Sequence, residues 1–242
     1  MSRVLLILCL VQCLLFQWCN CLQVLMSLHK IPKTASVAVP GADGRLSAPS
    51  ALKNSKPIID LVLEVAPDAG QGLEIASGTG EHMVKLASAL PGITFQPTDI
   101  DESRIASIDA WCNEGSNNIK EAVLLDAAKV GWSANHPNQN FILLVNLIHL
   151  ISETEAATVV QEISSALLPG GRALIYGPFK RDGELTSDGD KNFHQSLQEA
   201  DPAIGYKDDT WMAEQFKASG VAVLRVEQMP ANNLAFVVEK PI

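Results

Sequence analysis

The run Phe141-Ile142-Leu143-Leu144-Val145 is apolar at five consecutive positions, so both faces of any strand it forms must be buried. That demand fits the middle of a parallel sheet covered by helices on both sides. The rest of the chain agrees with it. A helix is expected over Ile58 to Val65, a strand over Gly72 to Ala76, a helix over Glu81 to Leu90 and a strand over Thr94 to Pro97. In the second of these helices Met83, Leu86, Ala87 and Leu90 fall at i, i+3, i+4 and i+7, while Glu81, Lys85 and Ser88 face water. Pro91-Gly92 stops it.

A helix over Glu102 to Asn113 and a strand over Ala122 to Leu125 come next, and the apolar strand itself spans Phe141 to Asn146. Ser152 with Glu155 forms a capping-box pattern, after which Ala156, Val159, Val160, Ile163 and Leu167 repeat at helical spacing until Pro169-Gly170-Gly171. Arg172 to Tyr176 reads as a strand, Lys180 to Lys191 as a charged surface loop, and Asn192 to Glu199 as a short helix. Beyond a helix near Thr210 to Ser219, the runs VAVLRVEQM (221–229) and LAFVVEK (234–240) flank the turn PANN with no helix between them. The chain is therefore α/β and Rossmann-like, with a mostly parallel sheet that ends in an antiparallel hairpin. Such a hairpin separates the methyltransferase version of this fold from the dehydrogenase version.

With 242 residues and 47% hydrophobic composition the chain has material for one sizeable core. A net charge of -9 argues against nucleic acid as a partner, since phosphate binders need clustered Lys and Arg. Four of the five cysteines lie at Cys9, Cys13, Cys19 and Cys21, leaving Cys112 alone in the domain, where it supports neither a disulfide framework nor a metal site. Residues 1–27, with Arg3 before the apolar stretch Val4 to Leu15, read as a signal peptide or short hydrophobic anchor. Residues 28–49 read as a flexible basic linker or transit region, and 50–242 as the domain. Secretory or organelle targeting follows from that reading; a translation start at Met26 instead gives a cytoplasmic protein. No membrane span is expected in the domain.

The strongest local signal is Glu74-Ile75-Ala76-Ser77-Gly78-Thr79-Gly80, placed between the first strand and its helix, where glycines let backbone approach a ligand. The dinucleotide fingerprint wants a small residue where this chain has Met83, which weakens a nicotinamide reading. The spacing acid-x-x-x-Gly-x-Gly instead resembles the first motif of class I S-adenosylmethionine-dependent methyltransferases. That resemblance implies that Gly78 and Gly80, with Ala76, Ser77 and Thr79 beside them, line the methionine part of the cofactor, and that Glu74 orients the loop or the ammonium. Asp99, at the end of the second strand, is the candidate for the ribose hydroxyls, and Asp101 for the N-cap of the next helix. Asp126 stands where the class places an acid or amide facing the adenine amino group; an ordinary loop aspartate is the alternative.

The segments ALKNSKPI, LEIASGTGEH, QPTDID with ASIDAW, NLIHLIS, LLPGG, YGPFKRDG and EQMPANNL follow one another along the domain. Together they are similar to the methyltransferase-like protein 26 group. The resemblance implies a methyltransferase-type fold that uses S-adenosyl-L-methionine, and supplies no acceptor. The chain departs from the group's usual pattern at Asn140 and at SDGDK (187–191).

On the acceptor side, Asn146 and His149 after the fourth strand, and Tyr176, Phe179 and Arg181 after the fifth, lie at the carboxyl edge, where ligands of open α/β sheets bind. His149 is a candidate general base and Arg181 a candidate fork for a carboxylate or phosphate, against a structural histidine and a solvated arginine. Asn232 and Asn233 suit the hairpin turn, because Asn tolerates positive φ. The expected function is methyl transfer to a small-molecule acceptor; the alternative is a catalytically silent cofactor- or protein-binding module of the same fold.

Overall fold

The computed structural model describes residues 29–113 and 117–242, and Ile31–Ile242 forms one compact unit. The expected signal or anchor lies outside the described residues. A two-stranded ribbon, β1 (Val39–Pro40) with β2 (Leu46–Ser47), precedes helix α1 (Pro49–Val65). There follow β3 (Gly70–Ile75), α2 (Glu81–Ala89), β4 (Ile93–Asp99), α3 (Glu102–Cys112) and β5 (Val123–Leu124). β6 (Gln139–Val145), α4 (Glu153–Ala166), β7 (Leu167–Pro178), α5 (Asp188–Ala200), α6 (Asp209–Ala218), β8 (Ala222–Gln228) and β9 (Asn233–Glu239) complete the chain.

The seven-stranded sheet has the order β5-β4-β3-β6-β7-β9-β8. Pairing is parallel from β5 through β7 and antiparallel for β7 with β9 and for β9 with β8. The expected α/β sheet with a terminal hairpin is thus what the chain forms. The hairpin folds inward, so β9 and not β8 pairs with β7.

Alternation along the strands divides the core into two layers. Ile75, Ile142, Leu144 and Ile175 pack against α4 and α6 through Val159, Val160, Ile163, Met212 and Phe216. Phe141, Leu143, Leu174 and Val237 pack against α1 and α2 through Ile58, Val62, Met83 and Leu86. β6 thus serves both layers, which is why its sequence is apolar throughout. Met83 is fully buried in the second layer, a core role for the residue that breaks the dinucleotide fingerprint.

Several boundaries differ from the sequence reading. Helix α1 begins at Pro49, a favourable first-turn position, and runs through Pro57, because Ala51, Asn54 and Ser55 are already buried ahead of the proline. The loop expected over Lys180 to Lys191 ends early: Ser187 caps α5 by accepting the Asp190 amide. Helix α4 carries both halves of the expected capping box, yet gives way at Leu167 to β7, so Pro169-Gly170-Gly171 lies within a strand. Residues 31–48, expected within a flexible linker, instead lie against the domain. Leu46 donates its amide to Ser107, Trp111 donates to the Leu46 carbonyl, and Ala48 donates to Glu81. Among the described residues no helix is long and apolar enough to cross a membrane.

Candidate active site

β3 has β4 on one side and β6 on the other, so chain connections leave it in opposite directions and a crevice opens beyond its carboxyl end. The loop Ala76 to Gly80 sits there. Its backbone turns through left-handed conformations at Ala76 (φ 54), Gly78 (φ 64) and Gly80 (φ 95). At Gly80 the reason is packing: a Cβ would come within 2.8 Å of the Ile108 Cα of α3. At Gly78 a Cβ would meet nothing closer than 4.0 Å, so that glycine borders open space. The loop is tied to β4, with the Ser77 amide donating to the Thr98 carbonyl at 2.8 Å and the Gly78 amide donating to Asp99 Oδ2 at 2.9 Å.

Two acids flank the loop from below. Glu74 is 2% exposed and its Oε2 has no hydrogen-bond partner. Burial, reinforced by the Asp99 charge and opposed by Ser77, raises its pKa to about 8. Asp99 is also buried, which raises its pKa against the pull of amides from Asp101 and Gly78. Asp101 caps α3 through the Ser103 amide, as expected from the sequence. Asp126 follows the short β5, accepts the Ala128 amide at 3.1 Å and pairs with Lys129 at 3.2 Å. Its strand neighbours β4, with the Leu125 amide on the Asp99 carbonyl. The fold thus sets Glu74, the 76–80 loop, Asp99 and Asp126 around one end of adjacent strands.

Across the crevice, Asn146 takes a left-handed backbone (φ 59) at the end of β6 and donates its amide to the Tyr176 carbonyl. His149 follows in a single 3-10 turn and is 4% exposed, with Nδ1 lacking a partner. Its ring lies 5.7 Å from Phe193 and 6.2 Å from Tyr206, both contributed by the α5 region. Burial and the nearby Lys207 charge lower its pKa to about 3. The general-base expectation is therefore corrected: burial keeps the His149 ring neutral at physiological pH.

The remaining acceptor-side residues divide. Burial raises the pKa of the Tyr176 hydroxyl against the opposing influence of the Asn54 and Asn233 side chains, and Asn54 Oδ1 lies 2.9 Å from His82 Nε2. Tyr176 is thus one member of a buried polar row joining α1, α2 and β9. Arg181 is corrected more strongly. Its guanidinium donates to the carbonyls of Phe179, Asn232 and Asn233 and to Gln228 Oε1, so its fork clamps the hairpin turn in place of a substrate anion. Phe179 is core, edge-to-face with Phe236 at 5.0 Å. Asn232 has the expected positive φ (60) and also reaches Asp190 at 3.0 Å.

Sequence reasoning missed Asn54 and His82, whose only local signal was a polar pair in otherwise apolar helix faces. It also missed Lys207, which is buried with Nζ on the carbonyls of Ile151 and Gly205, its pKa lowered by burial to about 8. Tyr206 and Lys207 come near His149, and Asp190 accepts from the Tyr206 hydroxyl, only through the tertiary fold, and no spacing announces them.

Residues 45–240 match the profile of a family described as a protein of unknown function, DUF938. The chain belongs to this family. The DUF938 chain also has the fold of solved methyltransferases. It shares 18% identity and a TM-score of 0.65 with an O-methyltransferase family protein from Burkholderia thailandensis, covering 77% of this chain and 56% of that one. With PigF with SAH the values are 17% and 0.63, over 77% and 55%. With human N-acetylserotonin methyltransferase in complex with SAM they are 12% and 0.64, over 80% and 53%. This chain spans a little over half the length of those structures.

Proposed function

We propose that the domain is an S-adenosylmethionine-dependent methyltransferase acting on a small-molecule acceptor. The observation that carries the reading is the unpartnered Glu74 Oε2, buried at the foot of the glycine loop beside Ser77 and within the electrostatic reach of Asp99. A buried carboxyl with an unused oxygen is costly unless a donor or cation meets it, and the cofactor's amino-acid ammonium is such a group. When bound, the cofactor supplies an electrophilic methyl group on a sulfonium. The glycine loop would line the methionine portion, and Glu74 would meet the ammonium, Asp99 the ribose hydroxyls and Asp126 the adenine amino group. The structural neighbours that carry SAH or SAM support the choice of ligand for this fold.

Transfer is an in-line displacement, and holding the acceptor at near-attack distance supplies much of the acceleration. Asn146 and His149 stand on the acceptor side. His149 keeps its lone pair free at neutral pH, so it accepts a hydrogen bond from an acceptor hydroxyl or amine and orients it; a pKa about 4 units below 7 makes it a weak base.

Titration calorimetry with S-adenosylhomocysteine tests the reading. Micromolar binding is expected. A folded domain that binds neither this ligand nor S-adenosylmethionine overturns it. Binding without methyl transfer to any small hydroxyl or amine acceptor leaves the silent module as the better reading.

A further inference from the structure

The amino-terminal segment, expected to be a linker, makes contacts that bear on the glycine loop. Ala35 packs against the apolar cluster of Leu197, Ile204 and Tyr206, as Leu150 and Phe193 do, in the cap beyond the ends of β6 and β7. Its neighbour Ser36 accepts bonds from Arg104, in the first turn of α3 beyond the end of β4. Two adjacent residues therefore touch elements on opposite sides of β3, which puts the segment next to the crevice mouth. From there the segment runs to α3, where the Arg45 guanidinium lies 4.8 Å over the Trp111 ring and Trp111 Nε1 donates to the Leu46 carbonyl at 2.8 Å.

Two buried side chains then bind this segment and the glycine loop at once. Ser107 Oγ accepts the Leu46 amide at 2.8 Å and donates to the Thr79 carbonyl at 2.8 Å. Glu81 Oε2 accepts the Ala48 amide at 2.7 Å and the Thr79 hydroxyl at 2.9 Å. Thr79 lies between Gly78, which borders the open space, and Gly80, which is pressed against Ile108. Both the side chain and the carbonyl of Thr79 are thus fixed by groups that also hold the strap. A hydroxyl and a carboxylate buried in this way bridge two segments that local sequence does not connect, and each is fully satisfied only when both segments are in place.

We propose that residues 35–48 are a working part of the cofactor site: a strap over the crevice, coupled through the positioning residues Ser107 and Glu81 to the Thr79 turn of the glycine loop. Ligand bound under the strap and the seated strap stabilise one another, so exchange of ligand requires release of the strap. This rests on the proposed cofactor site for the nature of the ligand; the coupling between strap and loop stands on the hydrogen bonds alone.

Hydrogen exchange of the full-length protein, read by mass spectrometry, tests both parts. Without ligand, Ser107→Ala and Glu81→Ala are expected to speed exchange of the strap peptide and of the 76–81 peptide together, about fivefold or more. Glu81→Gln, which keeps an acceptor oxygen, restores slow exchange in both. Trp111→Phe loosens the strap by removing the bond to Leu46 while keeping an aromatic ring beside Gly80, and keeps the test open if Ser107→Ala fails to fold. Saturating S-adenosylhomocysteine slows strap exchange in the wild type, an effect that a purely structural bond does not give. Strap exchange that rises while the loop peptide is unchanged in all three loosening variants overturns the coupling. So does a ligand that binds the wild type without protecting the strap. If the wild type binds no S-adenosylhomocysteine, the cofactor reading fails while the unliganded comparison still decides the coupling.

Discussion

Replacing Glu74 with Gln isolates the electrostatics of the crevice, and the expected effect follows from the pKa of that group. Burial puts the Glu74 pKa at about 8, against 4.5 for a free glutamate. A group of that pKa is about 0.9 protonated at pH 7 and half protonated at pH 8. An ammonium docked on the carboxylate favours the ionised form, so binding expels the proton. Calorimetric titration with S-adenosylhomocysteine in two buffers of different ionisation heat, such as phosphate and Tris, measures that proton. Release of about 0.9 proton per site is expected at pH 7 and about 0.5 at pH 8, and almost none in the Gln variant. The same shift governs stability. Because the folded state holds a proton that the unfolded chain gives up above pH 4.5, the unliganded domain loses stability as pH rises from 4.5 to 8. The loss reaches up to about 5 kcal/mol across that window. Chemical denaturation of Glu74→Gln is expected to lack that loss. Equal proton release in wild type and variant would refute the assignment of Glu74 to the ammonium.

Three further outcomes are expected. Asp99→Ala should weaken S-adenosylhomocysteine binding by about 1 to 3 kcal/mol, the range for a hydrogen bond to a charged group, as read by calorimetry. Gly80→Ala should lower stability by about 2 kcal/mol or more in urea titration, since it combines a φ of 95° with a Cβ 2.8 Å from the Ile108 Cα; an unchanged midpoint would mean that the loop relaxes freely. His149 has a folded pKa of about 3 against 6.5, so the stability it contributes is complete above pH 6.5 and is lost as pH falls from there toward 3. His149→Leu should flatten the acid limb of the stability profile by about 1.4 kcal/mol per pH unit in that window.

The fold was legible because it rests on local and periodic signals. The two-faced apolar run at Phe141 to Val145 demanded a central strand, and helical stripes such as Met83, Leu86 and Ala87 supplied its cover. Turn chemistry at PANN placed the hairpin. The residues of the proposed cofactor half could be named from sequence for a related reason: Glu74 to Gly80 is contiguous, Asp99 ends the neighbouring strand β4, and Asp126 follows β5, one strand further out. What the sequence alone determined is therefore the set of elements, their layering and the backbone loop at the crevice.

The tertiary structure decided which polar groups meet. Arg181 looked free in sequence, yet the β8–β9 hairpin brings three acceptors to its guanidinium, beside the local Phe179 carbonyl. His149 looked like a base of ordinary pKa until α5 and Lys207 buried it. Residues 31–48 carried the composition of a linker, and it is distant groups, among them the buried Ser107 and Glu81, 61 and 33 residues away from their strap partners, that give that segment a seat. Periodicity records which face of an element is buried; it does not record the long-range partner of a polar atom, because that partner is chosen by how the elements dock.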